Sequence, residues 1–224
     1  MVQTNADLWK RRLYVPNYRV GEAARYAKID PQTVAAWQKR LLSEREKRAE
    51  LSYLQLIELA VVAAARKAGM KLKDIEAARK YAGAKLQSEF PFAEYQFKTD
   101  GKHLLFDDAE LTDGKPDSWV SADQGGQLVW KEIVNKLREF EYQDGRVLRW
   151  RVAGPKSPIV IDPRISFGAP TIYGIATWAI KGRFQAGESD QEIADDFNIK
   201  VPDVRKALKF EGLLGGRQSR ATVH

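Results

Sequence analysis

Two histidines stand in the 224-residue sequence, His103 and His224, one at an expected hairpin tip and one at the last position. Nothing in the pattern joins them, so neither a two-histidine metal site nor a paired general base is expected. The absence of cysteine removes disulfides, thiol nucleophiles and zinc-thiolate sites. Asp107, Asp108, Glu110 and Asp113 form a carboxylate cluster of the kind that holds magnesium in nucleases. They fall in a polar, turn-rich stretch and read as a solvated loop. Gly125-Gly126 and Gly215-Gly216 lack the Lys-Ser/Thr that completes a phosphate loop. No catalytic residue, metal or cofactor is therefore expected. The remaining chemistry is that of amides and cations, which can read base edges and neutralise phosphates. Gln32 and Gln38 suit base edges, and Arg19, Thr33, Lys39 and Arg40 suit phosphates. Lys98, Lys102 and His103 supply a second set of donors.

The elements that must position these residues can be read from apolar spacing. Val20, Ala23, Ala24 and Ala27 fit a helix of two turns. Asp30 then serves as N-cap and Pro31 as first residue of a second helix, whose buried face carries Val34, Trp37 and Leu41. Two short helices joined by such a turn make a helix-turn-helix unit, with Gln32, Thr33, Ala36, Gln38, Lys39 and Arg40 assigned to its solvent face. A longer helix opens at Ser52 and ends near Gly69; another runs from Leu72 to about Lys85, with Ile75, Ala78 and Leu86 inward. The period then changes to two. Asp100-Gly101 predicts a two-residue hairpin turn pairing Phe97 with Leu104, a wing with Lys98 and His103 on one face. Residues 107–118 read as a linker. A strand from Trp119, a helix from Val129 to Phe140 and a strand from Val147 to Val152 form a connecting unit. After the break at 154–158 come a strand at Ile159–Ile161, a loop to Gly174, and two or three helices to Phe210. Ile175, Trp178, Ala179, Ile193, Phe197, Val204 and Leu208 are their expected core. Asp190 to Phe197 followed by Pro202 to Phe210 has the helix-turn-helix pattern again.

The first segment resembles the MerR family in Val20-x-Glu22-Ala23-Ala24, followed by Ile29-Asp30-Pro31-x-Thr33-Val34-x-x-Trp37. Leu54 to Leu59 and Ala68-Gly69-Met70-x-Leu72-x-Asp74-Ile75 extend the resemblance over the first 85 residues. It implies a winged helix-turn-helix that puts its second helix into the major groove of double-stranded DNA. Lys28 stands where many members have glycine, so a left-handed backbone is expected there at a cost of roughly 1 kcal/mol. Ala35 stands where many have a basic residue.

The C-terminal third resembles the small domain of VapB-type antitoxins of bacterial toxin–antitoxin pairs. The resemblance lies in Val160-Ile161-Asp162-Pro163-Arg164-Ile165-Ser166-Phe167-Gly168-Ala169-Pro170, then Gly187-Glu188-Ser189, Glu192-Ile193-Ala194 and Val204-Arg205-x-Ala207-Leu208. It implies a protein partner, a PIN-like ribonuclease toxin with an acidic magnesium site, and Arg217 or Arg220 could pair with its carboxylates.

The expected fold is α+β and mainly helical. It comprises a MerR-like winged helix-turn-helix domain over 1–107, a strand-helix-strand unit over 119–153, an antitoxin-like helical domain over 159–211 and a mobile basic tail over 212–224. With 37 Lys plus Arg against 30 Asp plus Glu, the net charge of +7 favours a polyanionic partner. No signal peptide opens the sequence and no apolar run is long enough to span a bilayer, so a cytoplasmic protein without a membrane partner is expected. The expected function is an antitoxin, homodimeric, that binds its own promoter and neutralises its toxin. A dimeric MerR-like regulator with a ligand-sensing or dimerising C-terminal domain is the alternative. A nuclease acting on its own has almost no support.

Overall fold

The computed structural model describes residues 8–42, 49–67, 69–94, 98–99, 104–105, 139–143 and 146–213. It is α+β, helix-rich with a small antiparallel sheet component. The chain divides into two compact units, Met1–Trp150 and Arg151–His224.

In the first unit, helix α1 (Leu8–Arg12) precedes α2 (Val20–Ala27) and α3 (Pro31–Leu41). The α2–α3 turn is only three residues long. Its first residue, Lys28, adopts φ 58°, ψ 46°, the left-handed backbone expected from the sequence. Lys28 and Ile29 return their N–H groups to the carbonyls of Arg25 and Ala24, which closes the end of α2. Asp30 then accepts a hydrogen bond from the Gln32 N–H at 2.7 Å, and Pro31 occupies the first turn of α3. Ala23, Ala24 and Ala27 are buried on α2, and Val34, Trp37 and Leu41 on α3, as their spacing requires.

Helix α4 (Tyr53–Lys67) is buried along nearly its whole length and is the centre of this unit. Helix α5 (Leu72–Leu86) and the short α6 (Pro91–Glu94) pack against it and each other, and α2 packs on it from the other end of the sequence. Helices α1 and α6 were not expected from the sequence; at five and four residues they are too short to show a 3.6-residue period.

Strands β1 (Lys98–Thr99) and β2 (Leu104–Leu105) pair antiparallel with Thr99 opposite Leu104 and Lys98 opposite Leu105. The expected register is therefore corrected. Leu104 pairs with Thr99 instead of Phe97, which leaves four residues between the paired positions instead of two. Alternation fixes which side chains share a face, and a two-residue slip of the partner preserves that property. Strands β3 (Phe140–Gln143) and β4 (Arg146–Trp150) form a second antiparallel hairpin, irregular between Glu141 and Tyr142. Phe140 thus begins a strand, where the sequence placed the end of a helix. Glu139 is in a turn, and residues 129–138 of that expected helix, the strand from Trp119 and the 107–118 linker lie outside the described residues.

In the second unit, β5 (Ile159–Ile161), β6 (Pro170–Ile172) and β7 (Ile175–Ala176) form an antiparallel meander. The stretch expected as a loop to Gly174 thus contains a strand and a tight 3-10 turn at Ser166–Gly168. Helices α7 (Thr177–Gln185), α8 (Asp190–Phe197) and α9 (Val201–Phe210) complete the unit and pack against one another. Ile193, Val204 and Leu208 are buried, whereas Ile175, Ala179 and Phe197 are only half-buried. Trp178, expected in the core, is 63% exposed. The buried stripe of α7 runs through Thr177 and Ile180, three residues apart, and the next position after Thr177 turns outward.

Candidate nucleic-acid interface

Helix α3 presents Gln32, Ala36, Lys39 and Arg40 as exposed residues and Thr33 as half-exposed. Their spacing of one, four, seven and eight residues from Gln32 places them along one face. Arg19 stands just before α2, strongly exposed, with its guanidinium 3.7 Å from Glu50. Its backbone N–H donates to the Glu22 carboxylate at 3.0 Å, so Glu22 is committed to tying down the start of α2. The two helices therefore hold their exposed side chains on a backbone fixed at every end by local hydrogen bonds.

One of the expected contacts differs from the solvent-face assignment. Gln38 is buried, at 1% exposure, and donates from Nε2 to the Ala49 carbonyl at 2.7 Å. Positions 34, 37, 38 and 41 form one helical stripe, so the same periodicity that buried Trp37 also carries Gln38 inward. It ties α3 to the segment before α4 and is removed from the set of base-reading residues. Arg40 is exposed yet engaged by Glu76 of α5, with Nη2 to Oε2 at 2.9 Å. Lys39 is the exposed α3 cation beside it. Lys98 lies in β1; Lys102, His103, Arg217 and Arg220 lie outside the described residues.

Behind this surface is a polar group that the sequence showed only as an interruption of an apolar run. Glu58, on α4, is fully buried. Its Oε2 takes a hydrogen bond from Arg79 Nε at 2.6 Å, and its Oε1 accepts from the N–H groups of Phe92 and Ala93 at 2.5 and 3.1 Å. Burial pushes the Glu58 carboxyl up to about 7, against the opposing pull of the Arg79 guanidinium and the two N–H groups. Nearby, burial and then the Glu58 charge raise the Tyr142 phenol above its ordinary range. This cluster joins α4, α5 and α6 and is structural. No sequence signal short of a charge in the middle of a buried helix pointed to it.

Asp162 has a similar role in the second unit. It is fully buried and receives Arg164 in a two-pronged pair, Nε to Oδ1 at 2.9 Å and Nη2 to Oδ2 at 2.7 Å, plus the Arg164 N–H at 2.9 Å. The Asp-Pro-Arg sequence thus builds a self-contained ion-paired turn at the end of β5. Among the described residues there is no group of three or more acidic, histidine or cysteine side chains placed to hold a metal ion. Nor is any described helix long and apolar enough to cross a membrane.

The chain thus joins a helix pair with an exposed polar and basic second helix to a strand-and-helix unit. Residues 159–210 match a family model described as a protein of unknown function (DUF433). Across 227 aligned residues the chain is 27% identical to a Mycobacterium tuberculosis (strain ATCC 25618 / H37Rv) protein named "Putative antitoxin VapB45", covering 88% of this chain and 94% of that one. The crystal structure of Rv2018 from Mycobacterium tuberculosis shares the fold with a TM-score of 0.65 at 22% identity, over 88% of this chain and 99% of that chain. The similarity is therefore to a protein named as a putative antitoxin over most of the chain and to a family of unknown function over residues 159–210.

Proposed function

We propose that the protein is an antitoxin that represses its own operon through operator DNA and neutralises a PIN-like ribonuclease toxin encoded beside it. The observation that carries the DNA-binding half is the α2–α3 pair. An Asp30-capped, proline-started second helix presents Gln32, Thr33, Ala36 and Lys39 outward beside Arg19. On this reading α3 enters the major groove of a MerR-like winged helix-turn-helix. Gln32 reaches base edges, while Arg19, Thr33, Lys39 and Arg40 hold phosphates. The β1–β2 hairpin is the wing, with Lys98, Lys102 and His103 on the DNA backbone.

The protein acts as a homodimer in the cytoplasm, on half-sites a whole number of helical turns apart, about 34–36 Å for one turn. The named relative supports the toxin-binding half. Within the proposed division, residues 1–107 bind DNA, 119–153 connect, 159–211 form the antitoxin-like domain, and Arg217 and Arg220 pair with toxin carboxylates.

Mobility shift on the promoter upstream of the gene tests the first half. Affinity should fall steeply with salt, as for any contact that releases counterions from phosphates. Lys39→Ala should weaken binding; unchanged affinity in both Lys39→Ala and Arg19→Ala would remove the α2–α3 pair from the interface. Co-purification with the neighbouring gene's product tests the second half, and no complex between the two would remove the toxin from the account.

A further inference from the structure

The two units contain the same helix pair, offset by 170 residues. Helices α2 and α8 are each eight residues long, and each is followed at once by a left-handed residue, Lys28 at φ 58° and Asn198 at φ 52°. The N–H of Ile29 meets the Ala24 carbonyl at 3.0 Å, and that of Ile199 meets the Ala194 carbonyl at 2.9 Å. The N–H of Arg19 meets Glu22 at 3.0 Å, and that of Ser189 meets Glu192 at 2.8 Å. Val34 and Val204 are buried at equivalent places in the helix that follows, and each of those helices has proline in its first turn.

The backbone thus makes the same demand at positions 28 and 198, yet the residues there differ in kind. Asparagine is enriched in the left-handed region because its short amide can hydrogen-bond locally. Lysine lacks that compensation and bears a steric cost that glycine would remove. Among the described non-glycine residues with a left-handed backbone, Lys28 alone is charged. Strained residues of this kind gather where a ligand is held, which directs attention to its ammonium.

Lys28 is exposed, and among the described residues no hydrogen bond or ion pair engages its side chain. Gly21 and Arg25 are the exposed positions of α2, and Lys28 continues their four-three spacing just past its end. The first helix of a helix-turn-helix pair crosses the phosphate backbone while the second enters the groove. The outward edge of α2 and the turn after it are therefore the parts set against phosphates. That turn also carries a negative charge, because the Asp30 carboxylate caps α3 through the Gln32 N–H at 2.7 Å. Unopposed, a carboxylate there would repel a phosphate. In the second pair the arrangement is reversed. Its cap position holds the cation Lys200 on an ordinary backbone at φ -80°, and its left-handed place is neutral. In the first pair Asp30 occupies the cap, and the cation stands at the left-handed place instead.

We propose that Lys28 is a phosphate-binding residue of the DNA interface, its ammonium meeting the backbone beside the groove that α3 enters. The inference rests on the operator reading above and adds a residue whose removal acts in opposite directions on folding and on binding. Losing one phosphate contact reduces the counterions released, and so lowers both affinity and its dependence on salt.

The test uses the full-length protein and the duplex upstream of its gene, with affinity measured by anisotropy at two salt concentrations and stability by urea unfolding. Lys28→Gly and Lys28→Asn should each raise the urea midpoint, weaken duplex binding about three- to tenfold, and lower the slope of log affinity against log salt by about 1. Lys28→Arg should keep the affinity and the slope. A merely structural residue would show the gain in midpoint without the loss of affinity. Unchanged affinity and slope in Lys28→Gly and Lys28→Asn, beside a Lys39→Ala that weakens binding, would overturn the role of Lys28 and leave the DNA reading standing. A loss in Lys28→Gly alone would assign the effect to the backbone and overturn the role as well. So would a loss in Lys28→Arg as large as in Lys28→Asn, which would deny the effect to the charge. A wild-type protein that does not bind the duplex would overturn both readings.

Discussion

The residues that face outward on α3 divide into those held by the protein and those left for a partner. Arg40 is already engaged by Glu76, while Lys39, one position earlier, is exposed. Lys39→Ala should therefore reduce promoter affinity and lower the slope of log affinity against log salt by about 1, the signature of one lost phosphate contact. Arg40→Ala should have the smaller effect, since its ion pair already satisfies the guanidinium. Titrations at two salt concentrations separate the two. Lys28 offers a stability test at the same scale. Its left-handed backbone costs a side-chain-bearing residue energy that glycine does not spend, so Lys28→Gly should raise unfolding stability by up to about 1 kcal/mol in urea. The left-handed backbone at Lys28 was expected from the resemblance of residues 20–37 to a family in which many members have glycine at that place. The burial of Gln38 was legible too, because it shares the 34–37–41 stripe. Its polar side chain points to solvent by type, and its place on the helix points inward.

At the scale of elements, the first unit depends on Glu58 to connect α4 with α5 and α6. Its carboxyl is raised from an ordinary 4.5 to about 7 by burial, so the folded protein keeps a proton that the unfolded chain has already released over that interval. Stability should accordingly fall as pH rises from about 4.5 to 7, by on the order of 3 kcal/mol, and level off above 7. Thermal or urea unfolding of Glu58→Gln should lack this slope, and a variant that retains it would assign the pH dependence to other groups. The helices with caps and long apolar stripes were readable: α3 follows from Asp30 and Pro31, and α9 from Pro202 with Val204 and Leu208. Helices α1 and α6 were not, because two short turns carry no periodic signal and are held by tertiary contacts such as the Glu58 bonds to Phe92 and Ala93. The β1–β2 register was half readable. Alternation defined its faces, but the loop length came from the Asp-Gly turn preference, which the pairing did not follow.

For the whole molecule, the chain contains one helix-pair design twice, in two compact units, with different chemistry on each. The repeated backbone is hard to see in the sequence because five positions alone coincide between residues 20–42 and 190–212: Glu22, Ala24, Ile29, Val34 and Lys39 with Glu192, Ala194, Ile199, Val204 and Lys209. The first four of those positions serve the cap, the turn and the core, Lys39 and Lys209 are exposed, and the other exposed positions differ. The account requires substitutions in one pair to leave the other pair's function unchanged, as expected for sites without shared partners.

The most direct measurement is promoter affinity of the full-length protein and of the Arg19→Ala/Lys39→Ala variant, each by fluorescence anisotropy at two salt concentrations. The account predicts weaker binding in the variant and a salt slope lower by about 2, one unit for each lost phosphate contact. Equal affinity and equal slope in the two proteins would contradict it.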